Sequence, residues 1–419
     1  MKLVKMSLVA AVVMGANLFA IDNIKVSGDA KLFYSTDNAD AVSAPQDGLF
    51  GQANSVADTA LRIAVTGDLL KDVSFGVTGY AVSTLGLENN LVSNTWAGSR
   101  DGVQDSAWLG ELWMAATLGK TTAKVGRMEL DTPFVFSEKW SIVPNTFNAV
   151  VLMNTDIPDT TVVGAWVGQG NGLNTINANA NSGPGWDYMG KDFGTFASSG
   201  AYAVGAINNS FKPLVAQAWY YNVSDVADAY WLQADWDCQL IEGVKVGVQY
   251  GNMDPKDSFA AVETKDSSAY AVKVAYSGVK DLTLAAAYSS ADEDNGALEI
   301  ANVATANTGS YSGKFAAQTK LYTEAWWNYG YVGQAGADAI MLSAAYDAGV
   351  AQLYAQYTDI EIQPTGAATA NDVTEVTLTA TKSFGPLSAT LAYIWADDNT
   401  GINNTKPYDT VQAYFVLSF

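Results

Sequence analysis

Ten charged side chains are the residues of this sequence whose type and spacing could act on a small molecule. Half of them border one Pro-containing segment, and half occupy the polar positions of segments that alternate between apolar and polar residues. They are Arg127, Glu129, Asp131, Glu138, Lys139, Arg62, Glu111, Asp235, Lys273 and Glu375. Cations facing carboxylates would create a transverse electric field that orients a dipolar solute. The alternative is that each is a solvated charge without a specific role.

Covalent chemistry has little support, because the chain contains no histidine. A Ser-His or Cys-His nucleophile pair and a His-ligated zinc site are therefore excluded. The one cysteine, Cys238, cannot form an intramolecular disulfide. No convincing carboxylate pair for acid–base catalysis is visible either, so we expect no catalytic residues and a protein that is not an enzyme.

The segments that must position these charges show the two-residue period of β-strands. In the last one, Val411, Ala413, Phe415, Leu417 and Phe419 form one apolar row, and mostly polar residues lie between them. The same alternation occurs along the chain, and many apolar rows begin or end in tyrosine or tryptophan. Apolar residues facing lipid and polar residues facing water explain this pattern. It predicts an all-β fold, a closed antiparallel transmembrane β-barrel.

The connections between these segments alternate in length. Short ones, such as those near residues 119, 209 and 383, separate long ones such as 171–199 and 292–338. Short periplasmic turns and long extracellular loops are typical of outer-membrane barrels, and the spacing predicts about eighteen strands. Sixteen strands stay open, because the segments near Gly200 and Ser224 are ambiguous. A soluble β-sandwich would also alternate, but would not need aromatic ends on its apolar faces.

The N-terminus indicates export, and the net charge limits the possible partners. Residues 1–20 have a basic start and an apolar stretch ending at Ala20, which predicts a cleaved signal peptide before a barrel domain at 21–419. No other stretch is apolar for the length of a membrane helix. The formal charge is −21, which argues against nucleic acid as a partner.

The segment from Ala123 to Gly168 resembles bacterial porins of the OprD-like and Campylobacter major-outer-membrane-protein group. In that group a Gly-Arg strand leads through a Thr-Pro step into the third loop, followed by a strand, a short turn and an apolar strand. The matching residues are Gly126, Arg127, Thr132, Pro133, Pro144 and Asn145. The N-terminus and the strand ending in phenylalanine are also similar, and the loop organisation covers essentially the whole mature chain.

The resemblance implies an eighteen-stranded, usually trimeric, water-filled barrel whose third loop folds into the pore and which passes small hydrophilic solutes and ions. Some members hold calcium in the channel. No ligand motif can be matched here residue by residue, so the metal is unknown and calcium is only an option. The acidic run that starts at Asp292 is not an EF-hand, since a glutamate would be needed where Val303 stands; a solvated loop and weak divalent binding stay open for it.

Further expectations concern selectivity and assembly. The acidic mature chain predicts a preference for cations over anions. By resemblance, Phe419, Leu417 and Phe415 would form the signal read by the outer-membrane assembly machinery; the alternative is that they merely close the barrel. Outer-membrane lipid and lipopolysaccharide would surround the wall. Two other functions stay open: a substrate-specific OprD-like channel, and a surface adhesin or antigen acting through its long loops.

Overall fold

The computed structural model describes residues 21–39, 48–83, 85–87, 106–139, 142–171, 193–195, 199–256, 265–292, 298–304, 317–363, 371–398 and 407–419. The predicted signal peptide therefore lies outside the described residues. The described part is almost entirely β-structure, with two short 3₁₀ helices at Gln52–Asn54 and Tyr329–Tyr331. None of the helices in these ranges is long and apolar enough to cross a membrane.

One antiparallel sheet contains all the strands of the described residues. Its members are β1 (Asp22–Asp37), β2 (Ser55–Leu70), β3 (Val73–Ser83), β4 (Ser106–Leu118), β5 (Thr121–Met128), β6 (Phe147–Asn154), β7 (Thr160–Gly170), β8 (Gly194–Thr195), β9 (Ala201–Asn208), β10 (Leu214–Val223), β11 (Ala227–Asp237), β12 (Val244–Pro255), β13 (Ser267–Val279), β14 (Leu282–Ala291), β15 (Ala337–Asp347), β16 (Gln352–Ile362), β17 (Asn371–Phe384), β18 (Leu387–Asp398) and β19 (Tyr408–Ser418). The two-residue β8 pairs with β7 beyond the point where β9 begins, so β8 and β9 share one position in the wall. The nineteen strands therefore fill eighteen wall positions, as the sequence predicts.

The first and last strands close the sheet. β1 pairs with β2 on one side and with β19 on the other, so Ala30 lies opposite both Leu61 and Leu417. The backbone N–H of Phe419 donates to the Gly28 carbonyl at 2.9 Å, and the Gly28 N–H donates to the Phe419 carbonyl at 2.8 Å. A Cβ on Gly28 would lie 2.6 Å from the Phe419 ring. Closure leaves no free sheet edge to pair with another chain.

The two faces of the wall differ as the alternation predicts. Leu61, Leu232, Val272 and Leu417 are between 40% and 52% exposed on the outer face, whereas Trp231, next to Leu232 in sequence, is 1% exposed inside the barrel. Apolar residues thus face outward, where a bilayer would cover them. They do not pack together in the interior, as they would between the two sheets of a sandwich. The structure excludes the β-sandwich alternative.

Aromatic residues form a belt on the outer face towards the long-loop end. Tyr220 lies opposite Tyr230, and Tyr250 lies opposite Tyr270. Several belt tyrosines donate to outward aspartates; Tyr220, for example, donates to Asp228 at 2.8 Å. Such a belt marks the boundary between hydrocarbon and headgroups.

Short and long connections lie at opposite ends of the barrel. Residues 71–72, 119–120, 280–281 and 385–386 are two-residue turns at one end, whereas the other end carries most of the long connections. Two of these long connections decide the shape of the lumen. We call residues 129–146, between β5 and β6, the third loop, and residues 292–336, between β14 and β15, the seventh loop.

Candidate functional site

The third loop folds into the barrel, as the resemblance implies. It leaves the wall at β5 and places Phe134 against Tyr221 and Trp231, on strands four and five wall positions away. The Phe134 ring meets these rings edge-on, at centroid distances of 5.6 and 5.4 Å. Burial of aromatic surface against this distant part of the wall therefore holds the loop inside.

The seventh loop also crosses the lumen, which the sequence did not predict. Its residues Trp326, Trp327 and Asn328 point three consecutive backbone N–H groups at the carboxylate of Glu375 on β17, at distances from 2.8 to 3.2 Å. The Asn328 side chain donates to the same carboxylate at 2.9 Å, and Thr377 donates at 3.0 Å. Glu375 is therefore an anchor for the loop, fully paired inside the barrel.

The other arm of the seventh loop is held by the wall around β11 and β12. The Tyr322 hydroxyl donates to Asp235 at 2.7 Å, and its backbone N–H donates to the Gln249 side chain at 3.0 Å. The ammonium of Lys273 lies 3.9 Å from the centre of the Tyr322 ring. Burial first, and then Asp235, raise the pKa of Tyr322, so its hydroxyl stays protonated and donates. A Cβ on Gly247 would lie 2.5 Å from that hydroxyl oxygen, so glycine makes room for it.

The two inward loops are joined to each other. The Asn302 side chain donates to the Phe136 carbonyl at 2.9 Å and to the Glu138 carboxylate at 3.0 Å. The ammonium of Lys320 lies 2.7 Å from the carboxylate of Asp131. Glu138 is buried by these contacts, whereas Asp131 stays open to water. Together the loops form one partition inside the barrel.

Opposite charges follow one another along the lumen wall of β1, β2, β4 and β5. Asp29 lies 3.6 Å from both Lys31 and Arg62, and Arg62 lies 3.9 Å from Glu111. Lys124 interacts electrostatically with Glu111 and with Glu129 of the third loop. Most of these groups are partly open to the lumen, so the row presents alternating charge to its contents. We call it the charge row.

The ends of the third loop carry a further ion pair. The ammonium of Lys139 lies 2.9 Å from the Glu129 carboxylate, and its side chain is largely exposed. Arg62, Glu111, Glu129 and Lys139 are thus brought together on one side of the lumen. Asp235, Lys273 and Glu375 lie elsewhere in the lumen, where they contact or hold the seventh loop.

Arg127 is the predicted site residue that the structure places outside the lumen. Its neighbours Gly126 and Met128 face inward, since Met128 is buried in the lumen core and Gly126 lies opposite the buried Ala149. Arg127 therefore shares the outer face with the exposed Val125. The lumen prediction for Arg127 was wrong, because a position beside the third loop does not determine the face on which a strand residue lies.

Several lumen residues were missed by sequence reasoning. They are Asp29, Lys31, Lys124, Gln249, Lys320 and Tyr322. The first four occupy polar positions of strands, so the two-residue period could have identified them. Lys320 and Tyr322 lie in a loop, where no period indicates a direction.

Two half-buried carboxyl groups lie in the seventh loop. Burial raises the pKa of Glu299 to about 8. Burial, and then the negative charge of Glu138, raise the pKa of Glu324 to about 8 as well. One carboxyl oxygen of Glu324 is buried and accepts no hydrogen bond. Both groups therefore stay largely protonated at neutral pH.

Within the described ranges, the structure contains no group of three or more carboxylate or cysteine side chains that could hold a metal ion. The acidic run after Asp292 lies outside those ranges. Calcium binding stays an untested prediction.

An eighteen-position barrel with an apolar outer face, an aromatic belt and a partitioned, charged lumen defines an outer-membrane channel protein. The sequence profile of the OprD family of outer membrane porins matches residues 88–352. The chain belongs to this family. Porins are channels rather than enzymes, and no curated protein sequence matches the chain.

Solved structures from Pseudomonas aeruginosa share the fold. OccK9 (OpdG) is 14% identical with a TM-score of 0.72, over 95% of this chain and 98% of that chain. OccK8 (OprE) is 17% identical with a TM-score of 0.70, over the same shares. OccK2 (OpdF), solved in complex with glucuronate, is 12% identical with a TM-score of 0.69, again over 95% and 98%. These TM-scores establish a common barrel architecture, and at such low identities they show the fold alone.

Proposed function

We propose that the chain forms a water-filled channel for passive diffusion of small hydrophilic solutes and ions. The observation that carries this proposal is the water exposure of charges on a loop inside the barrel: the side chain of Asp131 is 78% exposed and that of Lys139 is 68% exposed. Charges stay solvated in a wide aqueous lumen but not in a filled one. Swelling of liposomes that contain the purified protein, in isotonic sugars of increasing size, tests for diffusion.

The proposed channel prefers cations. The described parts of the two inward loops contain six carboxyl groups and two ammonium groups: Glu129, Asp131, Glu138, Asp292, Glu299 and Glu324 against Lys139 and Lys320. Even with Glu299 and Glu324 protonated, carboxylates outnumber cations there, so the local potential attracts cations. The reversal potential across a planar bilayer under a KCl gradient measures this preference. A clear anion preference refutes it.

A substrate-specific channel is the second candidate, and the charge row favours it. Lys31, Arg62 and Lys124 are spaced along the wall, where they could bind a carboxylate of a passing solute. The OccK2 structure contains glucuronate, a sugar acid of this kind. Uptake of glucuronate that exceeds uptake of glucose, and that falls in Arg62→Gln, would indicate specificity. Equal uptake of both sugars would indicate general diffusion. Family membership favours either channel over an adhesin.

Further proposals concern export, assembly and the lipid around the barrel. We infer a cleaved signal peptide at 1–20, a homotrimer, contact with lipopolysaccharide, and recognition of Phe419, Leu417 and Phe415 by the assembly machinery. Phe419 and Leu417 are exposed on the outer face at the seam, which supports both recognition and barrel closure. The link to the Campylobacter proteins rests on the resemblance at 123–168.

A further inference from the structure

The outer wall beside β5 carries a cation without an anionic partner among the described residues. The Nε of Arg127 donates to the Asn148 side-chain oxygen at 3.0 Å, and one Nη donates to the Leu109 carbonyl at 2.7 Å. Both acceptors are neutral. The second Nη group of Arg127 has no hydrogen-bond partner in the part of the chain that the structure describes. The guanidinium therefore keeps both its charge and free donors for another molecule.

Three further side chains complete a polar site around this guanidinium. The Phe193 ring stacks on it, with the ring centre 3.6 Å from the Arg127 Cζ. The Asn148 side chain donates to Gln169 at 2.7 Å. Register places Arg127 opposite Asn148, and Asn148 opposite Gln169. Arg127, Asn148, Gln169 and Phe193 together are the outer-wall site, and stacking on Phe193 fixes the plane of the guanidinium.

The aromatic belt sets the height of this site. Trp166 lies opposite Tyr202, and both are exposed on the outer face. Gln169 is three residues further along β7 towards the long-loop end, which is about 10 Å along an extended strand. Belt aromatics lie at the hydrocarbon boundary. The outer-wall site therefore lies at the level of lipid headgroups, above the hydrocarbon.

Other parts of the outer face at the height of this site are acidic. On the outer face, Asp228 lies opposite Asp254, and Asp338 lies opposite Glu361. Such paired carboxylates repel an anionic headgroup. The outer-wall site offers the opposite charge, and the forked geometry of a guanidinium suits a phosphate.

We propose that the outer-wall site binds a phosphate group of a phosphorylated glycolipid of the outer leaflet. Arg127 supplies the charge and its three free N–H donors, and the polar atoms of Asn148 and Gln169 face the sugar. Binding takes place on the outside of the barrel, so it is independent of what passes through the lumen.

The test uses the full-length protein, purified in detergent, freed of lipid and titrated with bis-phosphorylated lipid A while native mass spectra are recorded. Arg127→Gln should weaken binding by about ten-fold or more, the loss expected for charge-assisted hydrogen bonds. Arg127→Lys should lose less, since it keeps the charge. Arg62→Gln, which removes a cation in the lumen, is the matched control and should bind lipid A as the wild type does. Lipid A without phosphates should bind the wild type as weakly as lipid A binds Arg127→Gln.

Several outcomes would overturn the proposal. Equal lipid A binding by Arg127→Gln and wild type is one of them. Full displacement of lipid A by an equal concentration of inorganic phosphate would indicate a free-anion site instead. A changed oligomeric state in Arg127→Gln with unchanged lipid binding would make the site a contact between copies. The migration of unheated samples in gels shows whether each variant is a folded barrel, and Arg127→Gln should conduct ions like the wild type.

Discussion

The third and seventh loops both fold into the lumen, but different forces hold them. The third loop is anchored by an aromatic side chain, Phe134, between Tyr221 and Trp231. The seventh loop is anchored by polar groups, with its backbone N–H groups on Glu375 and its tyrosine hydroxyl on Asp235.

This difference has consequences for how each loop responds to change. The stabilisation from apolar burial decreases in proportion to the apolar surface removed from the side chain. The third loop should therefore loosen gradually as Phe134 is replaced by smaller residues. Removing the carboxylate of Glu375 leaves several buried N–H groups unpaired at once. The arm of the seventh loop that lies on Glu375 should therefore be released by a single substitution.

The largest effect is expected for Glu375→Ala. Three backbone N–H groups lose their acceptor, at about 1–3 kcal/mol for each one left buried, so the arm of the seventh loop at residues 326–328 should leave the wall. Liposome swelling in large sugars should become faster than for the wild type. Asp372→Ala, on the outer face of the same strand, is the matched control and should leave the swelling rate unchanged. Wild-type swelling in Glu375→Ala would mean that the carboxylate does not hold the loop.

Phe134→Ala tests the apolar anchor. Loss of a buried phenylalanine destabilises a packed structure by about 3–5 kcal/mol. Here the free energy that becomes less favourable is that of docking the third loop against the wall. Hydrogen exchange at the amides of residues 134–137 should accelerate, while exchange in β10 and β11 stays slow. Phe211→Ala, at an exposed turn, should change neither. Unchanged protection of the third loop would show that contacts other than Phe134 hold it.

Tyr322→Phe removes one hydrogen bond to Asp235 and keeps the ring on Lys273. A hydrogen bond to a charged group contributes about 1.5–3 kcal/mol, so exchange at residues 320–323 should increase only moderately. A loss of protection as large as that in Glu375→Ala would show that the two arms of the loop are not independently anchored.

The smallest effect concerns pH. The pKa of Glu324 is about 8 in the docked loop and 4.5 ordinarily, so the docked loop binds the proton more tightly. Docking should thus weaken as pH rises from about 4.5 to about 8. Cation preference should also increase through pH 8 as Glu324 ionises beside Glu138. Reversal potentials measured from pH 6 to 9 should show this rise, and Glu324→Gln should reduce it. A flat profile in the wild type would contradict the burial of these groups.

The barrel could be predicted from the sequence because the signal is repeated in every strand. A period of two, with Leu232 outside and Trp231 inside, is imposed by the backbone itself, and lipid on one side makes it visible. The same period puts five of the candidate charges on the face that the structure turns to the lumen: Arg62, Glu111, Asp235, Lys273 and Glu375. It also puts Arg127 on the outer face, together with Ala123 and Val125.

The partition inside the lumen could be predicted only in part. The third loop was found through its resemblance to a family motif around Thr132 and Pro133. The seventh loop was missed, since its anchors are polar contacts between residues far apart in sequence, such as Asn328 and Glu375. Such contacts depend on three-dimensional placement, and no local pattern encodes them.

The most direct test of a water-filled barrel narrowed by two loops is single-channel recording in a planar bilayer. Purified wild-type protein should insert in discrete conductance steps, and the Phe134→Ala, Glu375→Ala double variant should give larger steps. Absence of steps from correctly folded wild-type protein would contradict the channel. Steps of equal size in the two proteins would show that the loops do not set the width of the pore.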